Sequence, residues 1–591
     1  MQDQVHRPTY GASVSPTGTD FAHLVKIRGY PHAVQRYLDG LSVTDSRVIK
    51  LPVQGPVAKV LHSDDGRWLA CEVSPQGSEL SQVWIVTTDP SDPTAIRVDD
   101  GVDTAAHLIT WDGDTLAISI LGPNGIGESR LVDPRTLEHR VVDSSRLGKL
   151  ADVRDGAILL RTGRRGQHRL LFRHGDHEVY LYPPERDSVT DLGRLLSTRG
   201  PDGSWKALVR TDHGGEYARL DEVTISETGV SARTLVARDG CELDEFELSL
   251  DDSTAALLWN VRGGRSELQI LDVASGHLSA PIYLPEPVAS ELSISADGSL
   301  VAATMEGAGQ HVTVDVVDTR SRHWAPIDHI PPDASAVTPD RLKFFSHDGT
   351  PIEGWLYRPP GMRGPGPLML WLHGGPESQF RPGYNYIVPT ILKAGVTVFA
   401  PNVRGSAGFG KSFAHADDLA KRFAGIADVK AVVEEMIDRG IADPRRIAMA
   451  GRSYGGYLTW TTLAMYPELF ACGIPVCGMS SLVTFYENTE PWIAAAAHSK
   501  YGHPVRDRDL LMALSAMPII DQVQAPVLAI HGGEDTNVPV SESTQAVEAL
   551  AARGIEARTE VFAGEGHVFV KPENLLIQAR MMAEFVTRHL C

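Results

Sequence analysis

Several things are scarce in this chain of 591 residues. No stretch approaches the ~20 consecutive apolar residues that a membrane-spanning helix needs. The opening segment, MQDQVHRPTYGASVSPTG, lacks the apolar centre of a secretory leader. The expectation is a cytoplasmic protein with no membrane partner. A basic surplus is also missing: 55 Lys and Arg face 75 Asp and Glu, a formal net charge of −20. That balance argues against nucleic acid and anionic lipid, both of which are gripped through basic patches. It serves solubility and, read functionally, favours cationic or amine-bearing substrates. Cysteine is sparse, with Cys71, Cys241, Cys472, Cys477 and Cys591 scattered singly. An odd count without CxxC pairs fits a reducing compartment better than a disulfide framework, and the thiols read as packing residues. No His, Asp and Cys set shows ligand spacing on a shared element, so no metal and no other cofactor is expected. Low-complexity tracts are lacking as well, which leaves little room for extended disorder.

What is present divides in two. A single hydrophobic core stops growing near 250–300 residues, so this length implies two domains. Residues 1–335 repeat a β-rich unit at intervals of roughly 40–50, the range of propeller blades. The turns mark the period: SPTGTDFAHLV from Ser15, HSDDGRWLACEV from His62, TWDGDTLAISI from Thr110, SLDDSTAALLW from Ser249 and SISADGSLVAAT from Ser293. Less regular copies begin near Lys149 and Asp191, which makes seven units. Asp-Gly chemistry between alternating runs specifies β-hairpins. Seven such sheets close a β-propeller with a central channel, and a β-sandwich pair is the competing all-β arrangement. The segment HIPPDASAVTPD, from about Asp328 to Thr338, loses the alternation and reads as a linker.

Residues 336–591 alternate strand and helix. PLMLWLHGG, GVTVFAPNVRG, RIAMAGRSYGGY, FACGIPVCG and PVLAIHGGED read as buried strands. DVKAVVEEMIDRG and QAVEALAARG read as helices closed by glycine. That order specifies a mostly parallel sheet covered by helices on both faces, as in an α/β-hydrolase domain.

Gly451-Arg452-Ser453-Tyr454-Gly455 lies between the strand RIAMA and the apolar run YLTWTTLAM. A G-x-S-x-G turn in that setting lifts a serine hydroxyl above the sheet, and flanking glycines relieve the crowding. A serine needs a base oriented by an acid, and in this fold they follow in the order Ser, Asp or Glu, His. Asp535, in the loop after PVLAIHGGE, is the expected acid, with Glu534 and Glu565 as neighbouring alternatives. His567 in VFAGEGHVFV is the expected base, since His498, His503 and His531 all precede the acid. The oxyanion requires fixed donors. The Tyr454 N–H supplies one, and the loop His373-Gly374-Gly375-Pro376 after PLMLWL supplies the other.

HGGP at His373, NVRGSAGFG at Asn402, GRSYGGY at Gly451, HGGEDTNVP at His531 and GEGH at Gly564 stand together in one order. With them the chain resembles the prolyl oligopeptidase family of serine peptidases, in its acylaminoacyl-peptidase and dipeptidyl aminopeptidase-like branch. The resemblance implies that the Gly375 N–H is the second oxyanion donor. It also implies that the N-terminal repeats form the seven-bladed propeller that caps the site and admits short peptides. The Glu-Glu pair that grips a substrate amine in dipeptidyl-peptidase relatives has no clear counterpart. In the stretch that follows the nucleophile, Tyr486 and Trp492 are candidate pocket residues and Arg506 is a candidate ligand for a substrate carbonyl. The expected activity is amide hydrolysis of short peptides or aminoacyl compounds through an acyl-enzyme on Ser453. An esterase, or a hydrolase of aminoacylated small molecules such as an antibiotic, would use the same triad. Self-association is left open.

Overall fold

The computed structural model describes the chain from Thr9 to Cys591, apart from residues 28, 79, 103, 123–126, 146, 186, 328–332, 334 and 335. Most of the expected linker lies outside the described residues. Two compact units divide the chain, Met1–Pro332 and Asp333–Cys591.

The first unit is a seven-bladed β-propeller. Its blades occupy residues 9–48, 57–97, 105–143, 149–180, 190–236, 242–272 and 288–326. Six are four-stranded antiparallel sheets in simple sequence order. The sixth blade has three strands, with isolated bridges Leu268–Ile282 and Leu271–Leu278 alongside its third strand. Every turn motif quoted above joins the first and second strands of its blade, and the reason is chemical. In blade 2, Ser63 Oγ donates to Asp65 Oδ1 at 2.7 Å and accepts from Trp68 N at 3.0 Å. Ser249 and Ser295 repeat this pair of bonds in blades 6 and 7. The residue after the aspartate sits at positive φ, supplied by Gly66 (φ 72) and Gly298 (φ 70) in two blades and by Asp252 (φ 60) in the third.

Each first strand also carries an irregularity in register against the second: after Tyr10, Val57, Leu150, Thr190, Leu243 and Ser290, and at Ile109 in blade 3. The first strand is also an edge of its sheet, so some of its main-chain groups lie outside the ladder, and side chains of the adjacent blade take them up. Ser13 Oγ accepts from His62 N at 2.9 Å, Lys59 Nζ donates to Leu108 O at 3.0 Å, and Asp152 accepts from Leu195 N at 2.6 Å. Glu245 accepts from Glu291 N and Leu292 N, and Glu291 in turn accepts from Gly11 N at 2.8 Å, which joins blade 7 to blade 1. The first strands surround a cavity of about 450 Å³. Among the described residues an apolar layer lies between each pair of neighbouring blades; the layer at the seam sets Val14 and Phe21 against Leu300, Val314 and Val316.

The second unit is an α/β-hydrolase domain. Its sheet comprises β1 (Asp340–Phe345), β2 (Pro351–Tyr357), β3 (Gly366–Leu372), β4 (Thr397–Asn402), β5 (Ala442–Arg452), β6 (Cys472–Val476), β7 (Val527–Gly532) and β8 (Ala557–Phe562). The spatial order is 1-2-4-3-5-6-7-8, antiparallel at β1, β2 and β4 and parallel from β4 onward. β3, β4, β6 and β7 are buried along their whole length, as strands covered on both faces must be. The helices that matter for the site are α1 (Arg422–Asp438), α2 (Tyr454–Met465), α3 (Leu482–Asn488), α4 (Pro491–Tyr501), α5 (Ser541–Ala551) and α6 (Pro572–Leu590). α1 begins six residues before the run read from the sequence at Asp428. Its first turn is built on a buried arginine, Arg422, which an apolar-periodicity reading passes over.

Candidate active site

Ser453 stands on the turn from β5 into α2 with φ 56 and ψ −114, a conformation that L side chains rarely adopt. The turn is tight enough to demand its glycines. A Cβ on Gly451 would lie 2.5 Å from the Gly455 carbonyl carbon, and one on Gly455 would lie 2.2 Å from Leu372 O. The Ser453 N–H donates to Val476 O at 2.9 Å and its carbonyl accepts from Tyr457 N at 2.8 Å. These bonds lock the strained residue between β6 and the first turn of α2.

Asp535 and His567 come from the loops after β7 and β8. Those loops are fastened together by Gly533 N to Phe562 O and Glu534 N to Glu565 O, both 2.9 Å. Asp535 Oδ1 accepts from the N–H groups of Asn537 and Val538, each at 2.9 Å. Its Oδ2 accepts from His567 Nδ1 at 2.7 Å. Burial opposes the charge on this carboxyl, but hydrogen bonds from His531 and His567, the charge of His567 and the Val538 N–H outweigh it. They hold the group well below the usual carboxylate range. His567 is therefore oriented by a permanent anion, with Nε2 left for other partners.

The rivals from the sequence find other work. Glu565 is fully buried and accepts from Val570 N, Lys571 N and Asn574 Nδ2, fixing the loop that carries His567 onto the start of α6. His531 is buried, with Nε2 2.8 Å from Val538 O and Nδ1 2.8 Å from Ser543 Oγ. The rings of His498 and His503 lie 5.0 Å apart at the end of α4.

The loop after β3 lies against the elbow, since a Cβ on Gly374 would meet Ser453 Cβ at 3.5 Å. His373 Nδ1 donates to Gly374 O at 2.7 Å, and Nε2 lies 2.8 Å from Ser406 Oγ. Burial pushes the His373 imidazole down to about 4, so it is neutral at pH 7 and its one N–H is committed to that carbonyl. The Gly374 carbonyl shares a rigid plane with the Gly375 N–H, so the clamp fixes the direction of that donor. Gly375 itself has φ 121, and a Cβ there would lie 2.7 Å from Ser378 N. The NVRGSAGFG segment underpins this loop: Ala407 N donates to Ser378 O, and the Asn402 side chain exchanges two bonds with the Phe380 backbone. Arg404 is itself pinned by Asp428 and Asp348.

Beneath Tyr454 lies an ionic cluster that sequence reasoning missed. The Tyr454 hydroxyl donates to Asp417 Oδ2 at 2.8 Å, and Arg422 Nη1 lies 2.9 Å from the same oxygen. Lys500, on α4, is fully buried with Nζ 2.7 Å from Asp418 and 3.2 Å from Glu377, two residues past Gly375. Charged residues at these spacings look like solvated surface, so nothing in the sequence flags them.

The three pocket candidates separate. Tyr486 is buried on α3, its ring 5.4 Å from Phe485 and 5.6 Å from His498. Trp492 is 38% exposed near the start of α4. Arg506 is an exposed side chain that forks onto Asp507 at 2.9 and 3.1 Å.

A strained serine between a strand and a helix, an Asp–His pair on the next loops and a glycine loop beside the serine together define a serine hydrolase of the α/β class. The Prolyl oligopeptidase family model matches residues 382–591. Dipeptidyl aminopeptidase BIII of Pseudoxanthomonas mexicana is 35% identical over 88% of this chain and 84% of its own length. The acylamino-acid-releasing enzyme of Arabidopsis thaliana is 29% identical over 35% of this chain and 28% of its own. Among solved structures, a puromycin-hydrolyzing peptidase of Mycobacterium tuberculosis superposes with a TM-score of 0.81 at 17% identity, covering 98% of this chain and 94% of that one. The chain belongs to the prolyl oligopeptidase family and is a serine peptidase. Among the described residues, no helix is long and apolar enough to cross a membrane.

Proposed function

We propose that Ser453 is the nucleophile, His567 the base and Asp535 its orienting anion, in hydrolysis of amide bonds in short peptides or aminoacyl compounds. The observation that carries this reading is the 2.7 Å bond from His567 Nδ1 to the buried Asp535 carboxylate. It fixes the tautomer that leaves Nε2 able to accept a proton from the serine hydroxyl. The hydroxyl oxygen then attacks the substrate carbonyl, and the oxyanion forms against the N–H groups of Tyr454 and Gly375. Tyr454 opens α2, so the helix end adds to that potential. His567 passes its proton to the leaving amine. Water repeats the sequence on the acyl-enzyme, restoring Ser453. Tyr486 and Trp492 would contribute to the acyl-side pocket; Arg506 is the weakest of the three assignments, because its guanidinium is engaged with Asp507.

The name of the Pseudoxanthomonas relative favours an exopeptidase that releases short N-terminal units. A cytoplasmic site of action fits five unpaired thiols. Ser453→Ala is expected to lower kcat on aminoacyl and dipeptidyl chromogenic amides by about 10⁵–10⁶-fold and to abolish labelling by a fluorophosphonate. Labelling that survives the substitution would remove Ser453 from this role. Matched esters, free and acetylated amides, compared by kcat/KM, separate the peptidase from an esterase or a small-molecule aminoacyl hydrolase.

A further inference from the structure

A second group of side chains converges on Asp535. Cys477 directly follows β6 and is fully buried, held by its N–H donating to Ile530 O at 2.8 Å. Its Sγ lies within 4.8 Å of a carboxylate oxygen of Asp535. His531 Nε2 is 3.4 Å from Asp535 Oδ2. One ligand atom from each of Cys477, His531 and Asp535 falls within 4.8 Å of the others, and all three residues are buried.

We propose that Cys477, His531 and Asp535 form an inhibitory site for a zinc-class divalent cation that disables the triad through Asp535. This rests on the assignment of Asp535 as the orienting anion. The donor set is sulfur, imidazole nitrogen and carboxylate oxygen, the mixture zinc selects. Ligands about 2.0–2.1 Å from one ion at a near-tetrahedral angle stand roughly 3.3–3.5 Å apart, and the Nε2 to Oδ2 distance of 3.4 Å already meets that bite. Charge also closes. A dication with one thiolate and one carboxylate is neutral, the state a buried site accommodates most readily.

Each proton has a destination. The cation displaces the thiol proton to solvent as the metal–sulfur bond forms. His531 moves its proton from Nε2 to Nδ1, where Ser543 Oγ, 2.8 Å away, accepts it. Val538 O, to which that proton was donated at 2.8 Å, gives up its donor, and the Nε2 lone pair turns to the ion. Asp535 Oδ2 is the oxygen that receives His567 Nδ1, so metal on that oxygen weakens the bond that orients the base. The ordinary role of such a thiol is packing, and the same geometry gives an unmetallated enzyme with an intact triad.

The test uses the full chain, with Zn²⁺ for inhibition and Co²⁺ as a spectroscopic probe. Wild type should lose activity on adding Zn²⁺, regain it with a chelator, and show a thiolate-to-cobalt charge-transfer band with Co²⁺. In Cys477→Ser, sensitivity to Zn²⁺ should fall by about 10- to 100-fold and the band should vanish. Ser543→Ala, which removes the acceptor for the relocated proton, should weaken Co²⁺ binding while retaining the band. A wild type without the band, or equal Zn²⁺ sensitivity in Cys477→Ser, overturns the site. Fluorophosphonate labelling of metal-free protein reads the triad separately: a band without labelling would leave the metal site standing and remove the catalytic reading on which its inhibitory effect depends.

Discussion

The two units solve the same problem, ordering a β-rich core, by opposite means. In the propeller every ladder pairs strands adjacent in sequence, and one device recurs: a Ser–Asp turn, a bulged first strand, a side chain handed to the next blade. In the hydrolase sheet β4 lies between β2 and β3, and the site draws on loops after β3, β5, β7 and β8, each used once. Repetition distributes stability over interchangeable copies, whereas single use concentrates function in residues that have no substitute.

Substitutions can break that contrast. Asp535→Asn should lower kcat by about 10⁴-fold with the fold retained, measured by steady-state kinetics beside circular dichroism. Lys500→Ala strands Glu377 and Asp418 around an emptied buried position. It should destabilise the hydrolase unit by roughly 3–5 kcal/mol in denaturant unfolding. In the propeller the comparable steps are smaller. Glu291→Ala, which removes the bond from Gly11 of blade 1 and the one from Thr304 within blade 7, should cost about 1–3 kcal/mol. Ser63→Ala, which removes one copy of a repeated turn, should cost about 1 kcal/mol. If Ser63→Ala cost as much as Lys500→Ala, the idea of interchangeable copies would fail.

The finest probe is Asp315, on the third strand of blade 7 and 5% exposed. Burial and the nearby Glu286 push its carboxyl up to about 7. A carboxyl raised on folding binds its proton more tightly in the native state. Its stabilising contribution is full below about pH 4 and is lost as pH rises through 7. Asp315→Asn should therefore change little at pH 4 and stabilise the propeller by on the order of 1 kcal/mol at pH 8, seen as a Tm gain that grows with pH.

Legibility from sequence follows the same divide. The triad candidates could be picked out one by one because each sits in a glycine-flanked motif whose chemistry dictates its neighbours, as at Gly451 and Gly455. The propeller was readable only as a period. Nothing about Ser13, Lys59 or Glu245 in isolation announces a bond to the next blade, because those bonds depend on where a bulge falls. Asp417, Arg422 and Lys500 were invisible for a related reason. A charged residue carries no local signature of burial, and its partners are fixed only when distant loops meet. Arg506 is the converse case, a charge singled out by its position whose guanidinium lies on its own neighbour, Asp507, a contact that no local pattern announces.

The seam between blades 7 and 1 has a consequence in time. Each blade is one uninterrupted stretch, and the ring is joined there by side chains, an apolar layer and a main-chain bond from Ala296 N to Pro16 O, with no strand among the described residues borrowed from the far end of the chain. A ribosome adding about 5–20 residues per second would release a complete set of β-ladders every few seconds. Each could zip up as it emerges, and only the last junction would have to wait for the seventh sheet.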